Sequence, residues 1–344
     1  MNDFLWFLLA LLAILAVLAI AVPITVLIWW AGWTQRTQPN DQQPNPSPSH
    51  QATSVALTLS PSHSATLSSS RTPFLVYFSG VGDISDAYQS RYEDELLDAV
   101  KARVPNLVVI TDVFGFSVDN LSMTSQRRLG WFWSWVNDVR LRKDSPLKRA
   151  GLLINLRNIL HVSVSADSRY GPVYNYSVAE MVLQSLVRHG YVVGSGAPVA
   201  HLGFSGGGQM ALATAGTVAA TLRAPVQVIG MGGIMNANSS LSAITCLTLL
   251  YGTNDHVQSL SDWIFPARWP LLKNSAWNRA LREGKIQRLC LGPMQHTKRN
   301  SYLDGTVYLA DGRSYRDVTA DAIAAAIRGT RSTASTTAIS APPA

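Results

Sequence analysis

Val199-Ala200-His201-Leu202-Gly203-Phe204-Ser205-Gly206-Gly207-Gly208 runs directly into Gln209-Met210-Ala211-Leu212-Ala213. An apolar run, a Gly-x-Ser-x-Gly turn and an Ala-rich segment read as strand, tight turn and helix. Small residues on both sides of Ser205 let strand and helix approach each other, and a serine at such a turn is held in a strained position with its hydroxyl projecting from the sheet. That is how a nucleophile is presented. It needs a base and an orienting acid, supplied from comparable strand ends elsewhere in the chain.

Outward from this stretch, apolar runs and helical spacings alternate. Upstream, Phe74 to Phe78 predicts a strand that ends in Ser79-Gly80-Val81-Gly82. Tyr88 to Val104 has helical spacing, with Tyr92, Leu96, Ala99 and Val100 on one side and acidic residues on the other. Leu107 to Ile110 is a continuous apolar run of the buried parallel kind, and Val178 to His189 predicts an amphipathic helix. Downstream, Gln209 to Leu222 reads as helix, Val226 to Ile229, Leu247 to Tyr251 and Arg288 to Leu291 as strands, and Tyr315 to Arg328 as the closing helix. The alternation predicts an α/β fold over roughly 73–328, a mostly parallel sheet with helices on both faces.

Two of those strand ends carry the missing partners. Gly252-Thr253-Asn254-Asp255-His256-Val257 follows one, and Gly292-Pro293-Met294-Gln295-His296 follows the last. Strand carboxyl ends of a parallel sheet lie along one edge, so Ser205, Asp255 and His296 can converge there. In this order and setting the chain resembles the α/β-hydrolase fold family. The resemblance implies Ser205 as nucleophile, His296 as general base and Asp255 as the acid that orients it. It also implies an oxyanion hole from the amide of Gly206 and one from the loop Gly80-Val81-Gly82, where Val81 is the choice by position, with Gly80 beside it. His256 and Asp262 are the competing base and acid.

That loop continues into Asp83 and lacks the His-Gly-Gly-Gly run of many lipases and esterases; a carboxylate there would oppose charge developing on an oxyanion. His201, inside the strand before Ser205, reads as a packed core residue, and His189, beside Gly190, as a helix-end residue. Gly230-Met231-Gly232-Gly233 lacks the spacing and downstream acid of a dinucleotide site and reads as a tight turn.

Composition bounds the remaining classes. Residues 4–33 carry no charged side chain, and as a helix the run from Phe4 to Trp30 would be about 40 Å long, enough to cross a hydrocarbon core of about 30 Å. Trp29, Trp30 and Trp33 stand at its far end, where indoles favour the interface. One N-terminal transmembrane helix is therefore expected within 1–33. A cleaved signal peptide, the rival, has a shorter apolar region preceded by Lys or Arg. Asp3 on one flank, and Arg36 with Asp41 on the other, set no orientation. The Ser/Thr/Pro-rich stretch 34–72 predicts a flexible linker, and 329–344 a disordered tail.

The net charge of +7 is concentrated in Arg127, Arg128, Arg140, Arg142, Lys143, Lys148 and Arg149, opposed locally by Asp138 and Asp144. No zinc pattern or RNA-binding signature accompanies it, so neither nucleic acid nor a cofactor or metal is expected. Cys246 and Cys290, each in an apolar run, read as buried free thiols, with a cross-strand disulfide as the alternative. Residues 116–174 are placed as a cap or insertion. Its Trp131-Phe132-Trp133-Ser134-Trp135-Val136 either packs on the domain or rests on anionic lipid, with Trp131, Trp133 and Trp135 in the headgroup boundary. The expectation is a membrane-anchored serine hydrolase that cleaves an ester or related acyl bond of a small, apolar substrate. The alternative is a catalytically inactive hydrolase-like binding or assembly module at the membrane.

Overall fold

Phe74–Phe78 is apolar throughout because both of its faces are covered: Phe74, Val76 and Phe78 enter one hydrophobic cluster, Leu75 and Tyr77 another. Among the described residues it is β1 of a six-stranded, all-parallel sheet in the order β2-β1-β3-β4-β5-β6. The other strands are β2 (Val108–Ile110), β3 (Val199–Phe204), β4 (Val226–Met231), β5 (Leu247–Tyr251) and β6 (Ile286–Cys290). The structure, a computed structural model, describes residues 72–82, 90–117, 134–136, 138, 152–297 and 299–329.

Eight helices accompany these strands among the described residues: α1 (Arg91–Arg103), α2 (Leu152–Ala166), α3 (Gly171–Arg188), α4 (Gly207–Leu222), α5 (Ser240–Ala243), α6 (His256–Ile264), α7 (Ala276–Arg282) and α8 (Tyr315–Ile327), with a single 3₁₀ turn at Pro266–Arg268. Residues of α2, α3, α4 and α7, such as Ile154, Val178, Met210 and Trp277, fill the first cluster. Residues of α1 and α8, such as Leu96 and Ile323, fill the second. The sheet is thus sandwiched between helical layers, an α/β-hydrolase-like arrangement. The chain moves from β1 out to β2 and returns to β3 on the other side of β1. In open parallel sheets, ligands bind outside the carboxyl ends of the strands at such a reversal.

Several elements differ from the sequence reading for identifiable reasons. The helix expected from Tyr88 is described from Arg91, and its polarity is not the simple one: Tyr92 is exposed, while Glu93 is buried. Glu93 accepts hydrogen bonds from the Tyr77 hydroxyl (2.9 Å) and the Ser90 amide (3.1 Å), which satisfy a carboxyl that burial pushes up in pKa. Helix α3 begins at Gly171, seven residues before the expected Val178, with Pro172 in its first turn, where a missing N–H costs nothing. Within the expected cap 116–174, Phe116, Val136, Ile154 and Tyr174 belong to the same core cluster as β1. Trp135 is half exposed beside the buried Val136, so the two point to different sides of one helical turn.

The apolar run Phe4–Trp30, nearly all of the linker 34–72, Asp83, Trp131, Trp133 and the tail beyond Gly329 lie outside the described residues. Among the described residues no helix is long and apolar enough to cross a membrane. Cys246 and Cys290 are free and half-buried. The ladder sets Leu247 opposite Ile286 and Tyr251 opposite Cys290, so the two thiols stand at opposite ends of the β5–β6 pair and cannot join in a disulfide.

Candidate active site

Ser205 follows β3 directly and, with Gly206, makes the turn into α4; its φ is +53°. A side chain in the left-handed region costs about 1–3 kcal/mol and persists only when its surroundings over-determine it. They do: its amide donates to the Met231 carbonyl (3.2 Å), and its own carbonyl accepts from the amides of Gly208 (3.0 Å) and Ile234 (2.9 Å). The helix leaves so sharply that a Cβ on Gly207 would collide with the carbonyl oxygens of Phe78 and Ser79. Only glycine fits there.

His296, six residues beyond β6, reaches back to Ser205. Its Nε2 is 2.8 Å from the serine Oγ, and its Nδ1 is 3.0 and 3.1 Å from the two oxygens of Asp255. An ionised carboxylate only accepts, so Nδ1 carries the imidazole proton and Nε2 presents its lone pair to the serine hydroxyl. The Phe204 ring stacks on the imidazole, 5.4 Å between centroids at 23°, and fixes the ring plane.

Asp255 is held from every side. It is the N-cap of α6, its Oδ1 accepting from the amides of Val257 (2.9 Å) and Gln258 (3.1 Å). Its Oδ2 accepts from the Tyr302 hydroxyl at 2.6 Å, and that hydroxyl accepts in turn from the Gly252 amide at 2.8 Å. Burial pushes the Asp255 carboxyl up, but the hydrogen bonds from His296 and Tyr302 outweigh it and hold the group below the usual carboxylate range. Burial, with the carboxylate beside it, raises the Tyr302 phenol far above its ordinary value, so it stays a donor.

The glycine-rich turn after β4 has its use here. Gly232 has φ +53°, and a Cβ on it would lie 2.8 Å from Asp255 Oδ2 and 3.2 Å from His296 Nδ1. A side chain at this point would displace the acid–base pair.

The opposite side of Ser205 is lined by backbone. Gly206 is the N-cap of α4, whose aligned peptide dipoles present partial positive charge there. A Cβ on Gly206 would sit 2.5 Å from Val81 Cγ1, and one on Gly80 would sit 3.7 Å from Ser205 Cβ, so the loop after β1 borders the serine. Among the described residues the amides of Val81 and Gly206 donate no hydrogen bond, which leaves both available to an incoming oxyanion. Asn158 of α2 donates to the Val81 carbonyl at 2.9 Å and fixes the loop.

The competing residues lie elsewhere. His256 is the exposed first residue of α6, and Asp262 pairs with Arg268 (2.7 Å) and Arg288 (3.2 Å). His201 is buried, donates from Nδ1 to the Ala211 carbonyl at 3.0 Å, and is pulled down by burial to a pKa of about 4. His189 caps the end of α3 with its Nδ1 2.9 Å from the Ser185 carbonyl. Sequence reasoning passed over Tyr302 and Asn158. Neither lies in a motif, and each is recognisable only through what it touches.

No protein family matches the chain, and no curated protein matches it. Solved structures do. A dienelactone hydrolase-like promiscuous phosphotriesterase from metagenomic libraries is 14% identical over 76% of this chain and 87% of its own, with a TM-score of 0.42. A dienelactone hydrolase from Anabaena variabilis is 14% identical over 76% of this chain and 88% of its own, with a TM-score of 0.34. A hyperthermophilic esterase from the archaeon Pyrobaculum calidifontis is 14% identical over 75% and 77%, with a TM-score of 0.35.

Proposed function

We propose that this chain is a serine hydrolase that cleaves an ester or related acyl bond through an acyl-enzyme on Ser205. The observation that carries the reading is the unbroken line from Ser205 Oγ through His296 to Asp255 at a left-handed strand-to-helix turn. As Ser205 Oγ attacks the acyl carbon, His296 Nε2 takes its proton, and the Asp255 carboxylate stabilises the imidazolium that forms. The carbonyl oxygen, now negative, is held by the amides of Gly206 and Val81 at the head of α4; each such donor is worth about 10²–10³ in rate. Collapse expels the leaving group with the proton from His296. Water then enters, is deprotonated by the same imidazole, and releases the acid.

Phe4–Trp30 serves as a single membrane anchor, 34–72 as the tether, and the substrate is apolar in its acyl part, with Trp131, Trp133 and Trp135 as further candidates for lipid contact. Hydrolysis of p-nitrophenyl esters of graded chain length by the wild type and by His296→Ala tests the activity. Turnover that rises with chain length and vanishes in the variant is expected. Equal rates in both proteins would leave a non-catalytic module as the better reading.

A further inference from the structure

The other long helices bury apolar side chains, whereas α6 and the segment after it are inverted. The buried side chains of α6 are Gln258 and Ser261. Leu260, Trp263 and Ile264, which share one helix face by their spacing, are exposed, Trp263 by 79%. The next residues continue the inversion. Arg268 is buried, with Nη1 donating to the Met235 carbonyl at 2.9 Å, Nη2 2.7 Å from Asp262 and the guanidinium 3.8 Å over the Trp277 ring. Burial pulls its pKa down to about 10. Trp269, Leu271 and Leu272 face outward, Leu271 by 84%.

The segment cannot roll over to hide this face. Ser261 Oγ accepts from the Met235 amide at 3.3 Å and Arg268 holds the Met235 carbonyl, so both ends are fastened to the loop whose preceding residue, Ile234, bonds the Ser205 carbonyl. The exposed face amounts to roughly several hundred Å² of apolar surface, the size at which a patch marks an interaction site.

We propose that Leu260, Trp263, Ile264, Trp269, Leu271 and Leu272 dock the domain on an anionic lipid surface. Indole and leucine side chains are those that enter the headgroup boundary. A basic fringe adjoins them: Lys273, Arg279 and Arg282 are exposed, and Arg282 reaches the Lys273 carbonyl at 2.7 Å. The inference rests on the membrane anchoring proposed above. A linker of the length of 34–72 has a root-mean-square reach of about 35 Å. The tether therefore keeps the domain near the bilayer at an effective concentration that engages even a weak surface.

The full chain reconstituted in vesicles of phosphatidylcholine and phosphatidylserine, with or without bromine on the phosphatidylcholine acyl chains, tests this. Trp263→Phe/Trp269→Phe removes two surface indoles, so the emission difference between wild type and variant isolates them from the other tryptophans. That difference is expected to fall by more than half in brominated vesicles, and to fall less when phosphatidylserine is omitted. A difference unchanged by bromine in a chain that floats with the vesicles overturns docking alone, and a cross-linked dimer lost in Leu271→Asp would then assign the face to a second copy. A chain that does not float overturns anchor and docking together. Hydrolysis of p-nitrophenyl butyrate by the same vesicles reads the chemistry separately: Ser205→Ala is expected to lose it while keeping the quenching.

Discussion

Among the described residues, Ser205 and Ser185 each lie within reach of an aspartate and a histidine, and they are wired in opposite orders. At Ser205 the imidazole of His296 stands between hydroxyl and carboxylate. At Ser185, on α3, the hydroxyl donates straight to Asp112, which also pairs with Arg188 at 2.9 Å. His189 lies outside that pair, 3.4 Å from Ser185 Oγ and bonded to the backbone carbonyl. Burial pushes Asp112 up, but the Ser185 hydroxyl and Arg188 outweigh it and hold the carboxylate low, so it is a poor acceptor for a serine proton. Ser185 sits in a regular helix, whereas Ser205 is strained beside unused amides. The same three residue types make a nucleophile or a structural clasp according to the order of their hydrogen bonds and the backbone that carries the alcohol.

The comparison breaks most sharply at its first member. Ser205→Ala should lower kcat by about 10⁶, as removal of a serine nucleophile does, in a protein whose thermal midpoint is unchanged. Asp255→Asn should cost about 10⁴ in kcat, because the amide stabilises the wrong tautomer of His296.

His201 sharpens the contrast from the side of stability. The unfolded chain protonates such an imidazole near pH 6.5 and the folded one only near 4, so the unfolded state binds the extra proton in between and stability falls as the pH drops through that window. The loss should reach about 3 kcal/mol. Urea unfolding at pH 7 and at pH 4.5 should show a smaller pH-dependent loss in His201→Gln than in the wild type; His161, also depressed by burial, contributes equally to both.

Tyr302→Phe removes one charge-assisted bond to Asp255 and should slow kcat about tenfold, with KM little changed. Ser185→Ala, the smallest effect, should cost about 1 kcal/mol of stability and leave ester hydrolysis at the wild-type rate.

Much of this arrangement is legible in the sequence. Buried parallel strands must be apolar on both faces, so β1, β3 and β5 stand out as unbroken runs, and the residues just past such runs share one edge. Ser205, Asp255 and His296 were found that way. Tyr302 was not, because a single tyrosine in a loop carries no periodicity and its bond to Asp255 depends on how the segment after β6 folds back. Helix α6 is hidden in the sequence for a different reason: its apolar side chains face outward, and its N-cap, Asp255, doubles as the orienting acid. Glu93 reversed the expected polarity of α1 because Tyr77, on a neighbouring strand, supplies a partner that local spacing cannot reveal. Gly232 read as a turn, which it is; that the turn makes room for the acid–base pair is a property of the tertiary approach.

Ser205, and not Ser185 or any other hydroxyl, is proposed as the activated nucleophile. Treatment of the folded full chain with a fluorophosphonate, followed by peptide mass spectrometry, tests it most directly. One adduct per chain is expected, on the peptide containing Ser205, absent in His296→Ala. An adduct on another residue, or a folded wild type that takes up none, would contradict it.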